Sequence, residues 1–336
     1  MAQPTIKDIA KTLGLSPSTV SRALNDHPDI SRETKQKVQE TAEALDYHPN
    51  SVAQSLQSRR SNIIGVVVPQ VKHVFFAQIM AGITDIAHEA GYTVMICQSN
   101  DDYAREELNI KALISQRVAG LLISISQSTD MWEHFDYLIK RGIPLVFFDR
   151  VSEKVQASKV VVDDFEGAFH AVEFLIERGY RKIAHLGGPD FLNISQDRYK
   201  GYEAALKKHG LLFDPRMVLH IGLNEEHGVE GMARLLQQAP ERPDAVFCVD
   251  DPVAIGAYSH LRSVGLHIPG DVALVGFSDN PIASLVDPPL TTVRQPAYEI
   301  GRRATELLLE QLKSDEAGRK PRREILKTEL IIRQST

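Results

Sequence analysis

Arg22 carries a guanidinium whose forked N–H donors match O6 and N7 of a guanine read in the major groove. The residues around it give that chemistry a place. Thr5 caps a first helix, with Asp8 three residues on as the acidic partner of a capping box. Ile6, Ile9, Ala10 and Leu13 recur at helical spacing and form one apolar face. Gly14 supplies the backbone freedom of a helix end, Ser16 is an N-cap and Pro17 a first helical residue. In this second helix Val20, Ala23 and Leu24 face inward, leaving Pro17, Ser18, Ser21 and Arg22 on the outer face toward its N-terminal end. Two short helices joined by a glycine turn, the second offering its N-terminal residues outward, make the layout of a helix-turn-helix DNA reader. An exposed helical hairpin with an incidental arginine is the competing reading of these residues taken alone.

A second set of chemically able residues lies where apolar runs end. Val68-Pro69 leads to the aromatic pair Phe75 and Phe76, and Phe148 is followed by Asp149 and Arg150. Gly187-Gly188-Pro189 leads on to Asn193 and Arg198, Val249 to Asp250 and Asp251, and Phe277 to Ser278, Asp279 and Asn280. Carboxylates, amides and a forked arginine around a cleft suit a polyhydroxylated ligand, and an aromatic face can stack on a sugar ring. Each residue also has a plain structural role open to it. Phe75 and Phe76 could be core, Asp149 and Arg150 a surface ion pair, Asp250 a helix cap and Asp279 a turn residue. His185 and His227 lack the partner spacing of a metal site, and no cofactor or metal is expected.

The elements that must hold these residues follow from pattern. Ser31 caps a third helix with Val38, Ala42 and Leu45 inward, which closes a small three-helix module near Tyr47. Pro49 ends it, and Asn50 can cap a further helix to about Gln57, too short to persist alone because isolated helices below about 12–15 residues are marginal. A polar linker is one reading of that segment. A wedge from paired hinge helices in a minor groove is the other.

Residues 1–60 resemble the DNA-binding headpiece of the LacI/GalR family of bacterial transcription regulators, through positions 5–10, 15–25 and 47–56. The resemblance implies that Pro17, Ser18 and Arg22 sit at base-reading positions, with Thr5, Ser16, Thr19, Ser21 and Asn25 in the same DNA-binding set. It implies that Asn50, Ala53 and Leu56 belong to a hinge helix, Leu56 being the lever that opens a central base step. Pro17 departs from the donor-bearing side chains some members carry.

The rest of the chain alternates strands and helices in two series, opening near 63–68 and near 159–162 and running to about 277. Near-continuous apolar runs such as 63–68 suit strands buried on both faces. The alternation predicts two doubly wound lobes with parallel sheets and right-handed crossovers, ligands binding beyond the carboxyl ends of the strands. The predicted fold is therefore a small all-α helix-turn-helix headpiece plus an α/β effector domain of two such lobes, similar to periplasmic sugar-binding proteins. The divisions expected are 1–48 for the DNA-binding domain, 49–61 for hinge and linker, and 62–336 for effector binding and dimerisation. Within the last, one lobe takes about 62–163 and 294–325 and the other about 164–290 and 328–336. By resemblance the backbone crosses between lobes near 162–164, 289–295 and 326–328. Arg198, Asp250 and Gln295 then match ligand-binding positions, while Ser278 stands where many members carry aspartate.

Composition bounds the rest. A chain of 336 residues has room for the headpiece and further domains with sizeable cores, and its formal net charge of −6 means that local distribution must supply any DNA-facing field. Cys97 and Cys248 match no metal or redox spacing and read as core thiols of a cytoplasmic protein. No apolar run is long enough for a membrane span, and no signal-peptide pattern is present. The predicted function is a sequence-specific regulator, a repressor rather than an enzyme, binding a near-palindromic double-stranded DNA operator as a homodimer under control of a sugar-like effector. A dimer is expected over a tetramer because no leucine heptad tail follows the last strand. A periplasmic-type sugar-binding protein without a DNA role is the alternative, and it leaves residues 1–60 without a task.

Overall fold

The computed structural model describes residues 4–47, 61–314 and 320–336, so the hinge positions Asn50, Ala53 and Leu56 lie outside the described residues. The chain forms two compact units, Met1–Ser61 and Asn62–Thr336.

In the first unit α1 is Ile6–Leu13, α2 Pro17–Leu24 and α3 Arg32–Ala44. The Thr5 N–H and hydroxyl both donate to Asp8 Oδ2, at 2.8 and 2.7 Å. Gly14 closes α1 in the left-handed region (φ 65°), where a β-carbon would be strained. Ser16 Oγ accepts the Thr19 N–H at 3.1 Å and Ser31 Oγ accepts the Thr34 N–H at 3.2 Å, so α2 and α3 begin at the expected caps. Ile9, Ala10, Val20, Ala23, Val38 and Ala42 form the buried centre, and Leu13, Leu24 and Leu45 pack around it.

The second unit holds two six-stranded sheets. The first lobe takes β1 Ile63–Val68, α4 Val74–Glu89, β2 Thr93–Gln98, α5 Tyr103–Ser115, β3 Gly120–Ile123, α6 Glu133–Lys140, β4 Leu145–Phe148 and β5 Ser158–Val162. The second takes α7 Asp164–Glu177, β6 Ile183–Gly187, α8 Asn193–Lys208, β7 Val218–His220, α9 Glu225–Gln238, β8 Ala245–Cys248, α10 Asp251–Ser263, β9 Ala273–Ser278 and β10 Thr291–Arg294. The chain then returns to the first lobe for α11 Ala297–Lys313 and β11 Arg323–Leu326, and ends in the second with β12 Glu329–Ile331. The sheet orders are β11-β5-β4-β3-β1-β2 and β12-β10-β9-β8-β6-β7. In each, strand order reverses about the first strand, and such switch points place the ligand crevice at the carboxyl ends of the strands.

Two details refine the expected outline. The sheets are not wholly parallel, because β12 pairs antiparallel with β10. Only Lys327 and Thr328 separate β11 from β12, too little chain for a crossover that would keep the direction. Arg294 belongs to β10 and hence to the second lobe, which narrows the middle crossing to Gln295 and Pro296. The helix that carries Arg198 begins at Asn193, with Ile194, Ser195 and Arg198 buried along it. The Thr328 N–H and hydroxyl both donate to Asp163 Oδ1, at 2.7 and 2.8 Å, and so tie the first crossing to the third.

Candidate functional site

On the first unit, Pro17, Ser18 and Arg22 are exposed on the outer face of α2. Other members of the expected set have local duties. Ser16 caps α2 and its Oγ lies 2.7 Å from Ser18 Oγ and 2.8 Å from Thr19 Oγ1. Asn25 Nδ2 donates to the Ser21 carbonyl at 2.9 Å, and the Thr5 hydroxyl is held by Asp8. The guanidinium fork of Arg22 is therefore the richest unclaimed donor on that face.

In the second unit a cavity of about 500 Å3, its open mouth included, lies between the lobes at the carboxyl ends of the strands. From the first lobe come Phe75 and Phe76, at the start of α4, and Asp149 and Arg150, just past β4. From the second come Arg198 on α8, Asp250 at the cap of α10, and Ser278 and Asn280 after β9. Gln295, on the middle crossing, completes the polar wall, while Ile194, Leu223 and Pro252 supply apolar surface beside the two phenylalanines.

Arg198 is only 1 % exposed. Its Nε donates to Asp164 Oδ1 at 2.8 Å and Nη1 to the Val249 carbonyl at 2.7 Å, while Nη2 stands 2.7 Å from the same Asp164 oxygen. The guanidinium carbon lies 3.7 Å from the centre of the Phe277 ring. Desolvation pushes the buried Asp164 carboxyl up to about 6, against the pull of Arg198. Burial likewise raises Asp149 and Asp250, against the pull of Arg150 and Arg198 at the first and of its own cap bond and both arginines at the second. Asp250 Oδ1 accepts the Val253 N–H at 2.9 Å, so the cap and the cavity wall are one residue. Gln295 Nε2 donates to Ser278 Oγ at 2.9 Å, and its Oε1 is buried without a partner. Asp149 (φ 60°) and Ser278 (φ 122°) both hold left-handed backbone at the cavity, a strain that accurate packing around a site can sustain.

Two expected ligand residues are placed elsewhere. Asp279 turns away from the cavity: Arg294 Nε and Arg333 Nη2 donate to it at 2.8 and 2.6 Å, holding its carboxyl below the usual range despite partial burial. It ties the end of β10 to the terminal segment. Asn193 spans the lobes, its Nδ2 donating to the Asp149 carbonyl at 3.1 Å and its Oδ1 accepting the Val151 N–H at 2.8 Å. Both positions follow strand ends, but long-range partners have claimed their side chains. The cavity also takes in His73, Arg150, Ile194, Leu223, Pro252 and Asn280; Arg150 and Asn280 adjoin expected ligand residues at strand ends, whereas Leu223 lies in a loop with no motif. His185 is buried, held near a pKa of 4 by desolvation, and engages the Phe247 carbonyl at 2.9 Å through Nδ1, which is a core role. Among the described residues no group of three His, Cys, Asp or Glu could hold a metal, and no helix is long and apolar enough to cross a membrane.

Behind the wall, Asp251 accepts the Thr292 hydroxyl and the Asn280 N–H, each at 2.6 Å, where only a glycine at 276 leaves room. Burial pushes its carboxyl up to about 7, outweighing those two hydrogen bonds. The folded state thus holds this proton more tightly than the unfolded chain, where the group titrates near 3.8. The stability Asp251 contributes is therefore fullest at low pH and falls as pH rises from about 4 to about 7. The Asp251→Asn variant should gain in melting temperature relative to wild type across that window; a difference that stays constant with pH would contradict the assignment.

Residues 5–50 match the family described as bacterial regulatory proteins, lacI family, and residues 172–336 match a periplasmic binding protein-like domain. The HTH-type transcriptional repressor CytR of Escherichia coli (strain K12) is 34% identical over 335 residues, covering 99% of this chain and 96% of that one. The chain belongs to the lacI family. Among solved structures, a CelR–cellobiose complex is 30% identical with a TM-score of 0.75, covering 99% of this chain and 100% of that one. The lac repressor dimer bound to operator and the anti-inducer ONPF is 26% identical with a TM-score of 0.85, covering 100% of this chain and 99% of that one. As a lacI-family protein the chain is a DNA-binding transcription regulator, not an enzyme, and its periplasmic-binding-protein-like lobes form the effector domain.

Proposed function

We propose that this lacI-family protein is a cytoplasmic repressor that binds a near-palindromic operator as a homodimer and is controlled by a sugar or sugar derivative held between its two lobes. The observation that carries the reading is the cavity itself. Carboxylates, guanidiniums and an amide converge there from both lobes and from a crossing segment, beside aromatic rings. A ligand touching both lobes and Gln295 favours one lobe arrangement over another, and only such differential contact can shift a two-state equilibrium. The bound cellobiose of the CelR structure and the operator-bound dimer of the lac repressor support the sugar and the dimer.

Arg22→Ala tests the output end. Loss of a bidentate base contact should weaken specific operator binding by about 1–3 kcal/mol and leave sugar binding unchanged. Gel-shift titrations on operator and on random DNA decide it, since an equal loss on both would reduce Arg22 to a phosphate contact.

A further inference from the structure

The polar atoms of the cavity are not balanced for an anion. Arg198 already faces Asp164 at 2.7–2.8 Å, and Arg150 Nη1 lies 2.5 Å from Asp101 Oδ1. All four of these side chains are at most 8 % exposed. Each guanidinium is therefore matched by its own buried carboxylate before any ligand arrives. Asp149 and Asp250 then add two more carboxyls to the wall, with no further Lys or Arg lining the cavity. The open positions include several acceptors. Gln295 Oε1 is buried without a partner, Asp250 spends only Oδ1 on its helix cap, and Asp149 accepts one side-chain hydrogen bond, from Ser124 at 3.3 Å. Beside these stand donors: the unpartnered Arg150 Nε, the N–H groups that Arg198 has left over, and the side chains of Asn280, Ser278 and His73 on the same wall, so the cavity offers both halves of a hydroxyl's bonding.

We propose that the cavity selects an uncharged, hydroxyl-rich ring and refuses its phosphorylated or carboxylated counterpart. The inference rests on the reading of this cleft as a sugar-effector site and narrows it. Hydroxyl groups donate to the open acceptors and still accept from the arginines. A phosphate or carboxylate at neutral pH only accepts, so it leaves Gln295 Oε1 orphaned and sets its charge against Asp149 and Asp250 in a low-dielectric space. Burial raises both of those carboxyls despite two nearby guanidiniums, which marks the cavity as a poor solvent for negative charge.

Titration calorimetry on the full chain with matched pairs tests this. The pairs are D-glucose and D-glucose 6-phosphate, D-ribose and D-ribose 5-phosphate, and D-galactose and D-galacturonate. In any pair that binds, the neutral member should bind at least about tenfold more tightly, and Asp250→Asn, which keeps the helix cap, should shrink that margin about threefold or more. An anionic member binding as tightly as its neutral partner overturns the proposal. An unchanged margin in Asp250→Asn overturns the assignment of the discrimination to the wall carboxylates. If no member of any pair binds, the sugar reading itself fails, and the selectivity proposal falls with it.

Discussion

Replacing Arg198 by methionine removes the effector response and leaves operator binding in place. The guanidinium holds together three parts of the second unit: Asp164 at the start of α7, the Val249 carbonyl after β8, and the face of Phe277 on β9. It also lines the cavity, where its remaining N–H groups are charged donors available to a ligand. Hydrogen bonds to charged groups contribute about 1.5–3 kcal/mol each, so losing two lowers affinity by about 100-fold or more.

Stability should suffer as well, because the change strands a carboxyl. Breaking a buried ion pair from one side costs about 3–5 kcal/mol. Asp164 already titrates near 6 rather than 3.8 with its partner present. Without Arg198 it rises further, so the variant's loss of stability grows as pH climbs above about 6. The double change Arg198→Met with Asp164→Asn separates the two effects. Urea unfolding should show stability largely recovered, while calorimetry with the sugar that binds wild type still shows no binding. Recovery of both would make Arg198 a structural residue only.

The sequence disclosed the fold wherever local chemistry decides it. Helix caps at Ser16, Ser31 and Asp250 bond as their types predict, and the apolar run Ile63–Val68 is a buried central strand. The same local signals mislead where distant partners decide. Asp279 reads as a pocket carboxylate beside Ser278, yet Arg333, 54 residues away, has claimed it. Asn193 reads as a loop amide, yet it opens α8 and fastens the lobes across 42 and 44 residues. The direction of β12 depends on the length of one connection and carries no signature in its own residues. Arg150 shows the opposite case: adjacent charges suggest a surface pair, but its partner is Asp101, nearly as buried as itself, and its Nε is left without a bond.

Ile9→Ala should abolish operator binding on every sequence while the effector domain still melts as in wild type. Ile9 is fully buried at the centre of the first unit, and among the described residues Ala10, Val20, Ala23, Val38 and Ala42 share that buried core. Three of those five are alanines, which bury little area each. Truncating a buried isoleucine typically costs about 2–5 kcal/mol, partly lost transfer energy and partly the cavity left behind. A module of this size has only a few kcal/mol to lose, since small domains bury a smaller share of their surface. The change therefore unfolds the module rather than loosening it, and the defect differs in kind from that of Arg22→Ala. Arg22→Ala spares random DNA relative to operator. Ile9→Ala loses both, because a collapsed helix-turn-helix can no longer place α2 in a groove. Calorimetric unfolding should show the transition of residues 62–336 unmoved, and proteolysis should cut within 1–61 far faster than in wild type. A variant that keeps operator affinity and resists cleavage would mean that the first unit draws its stability from somewhere other than this core.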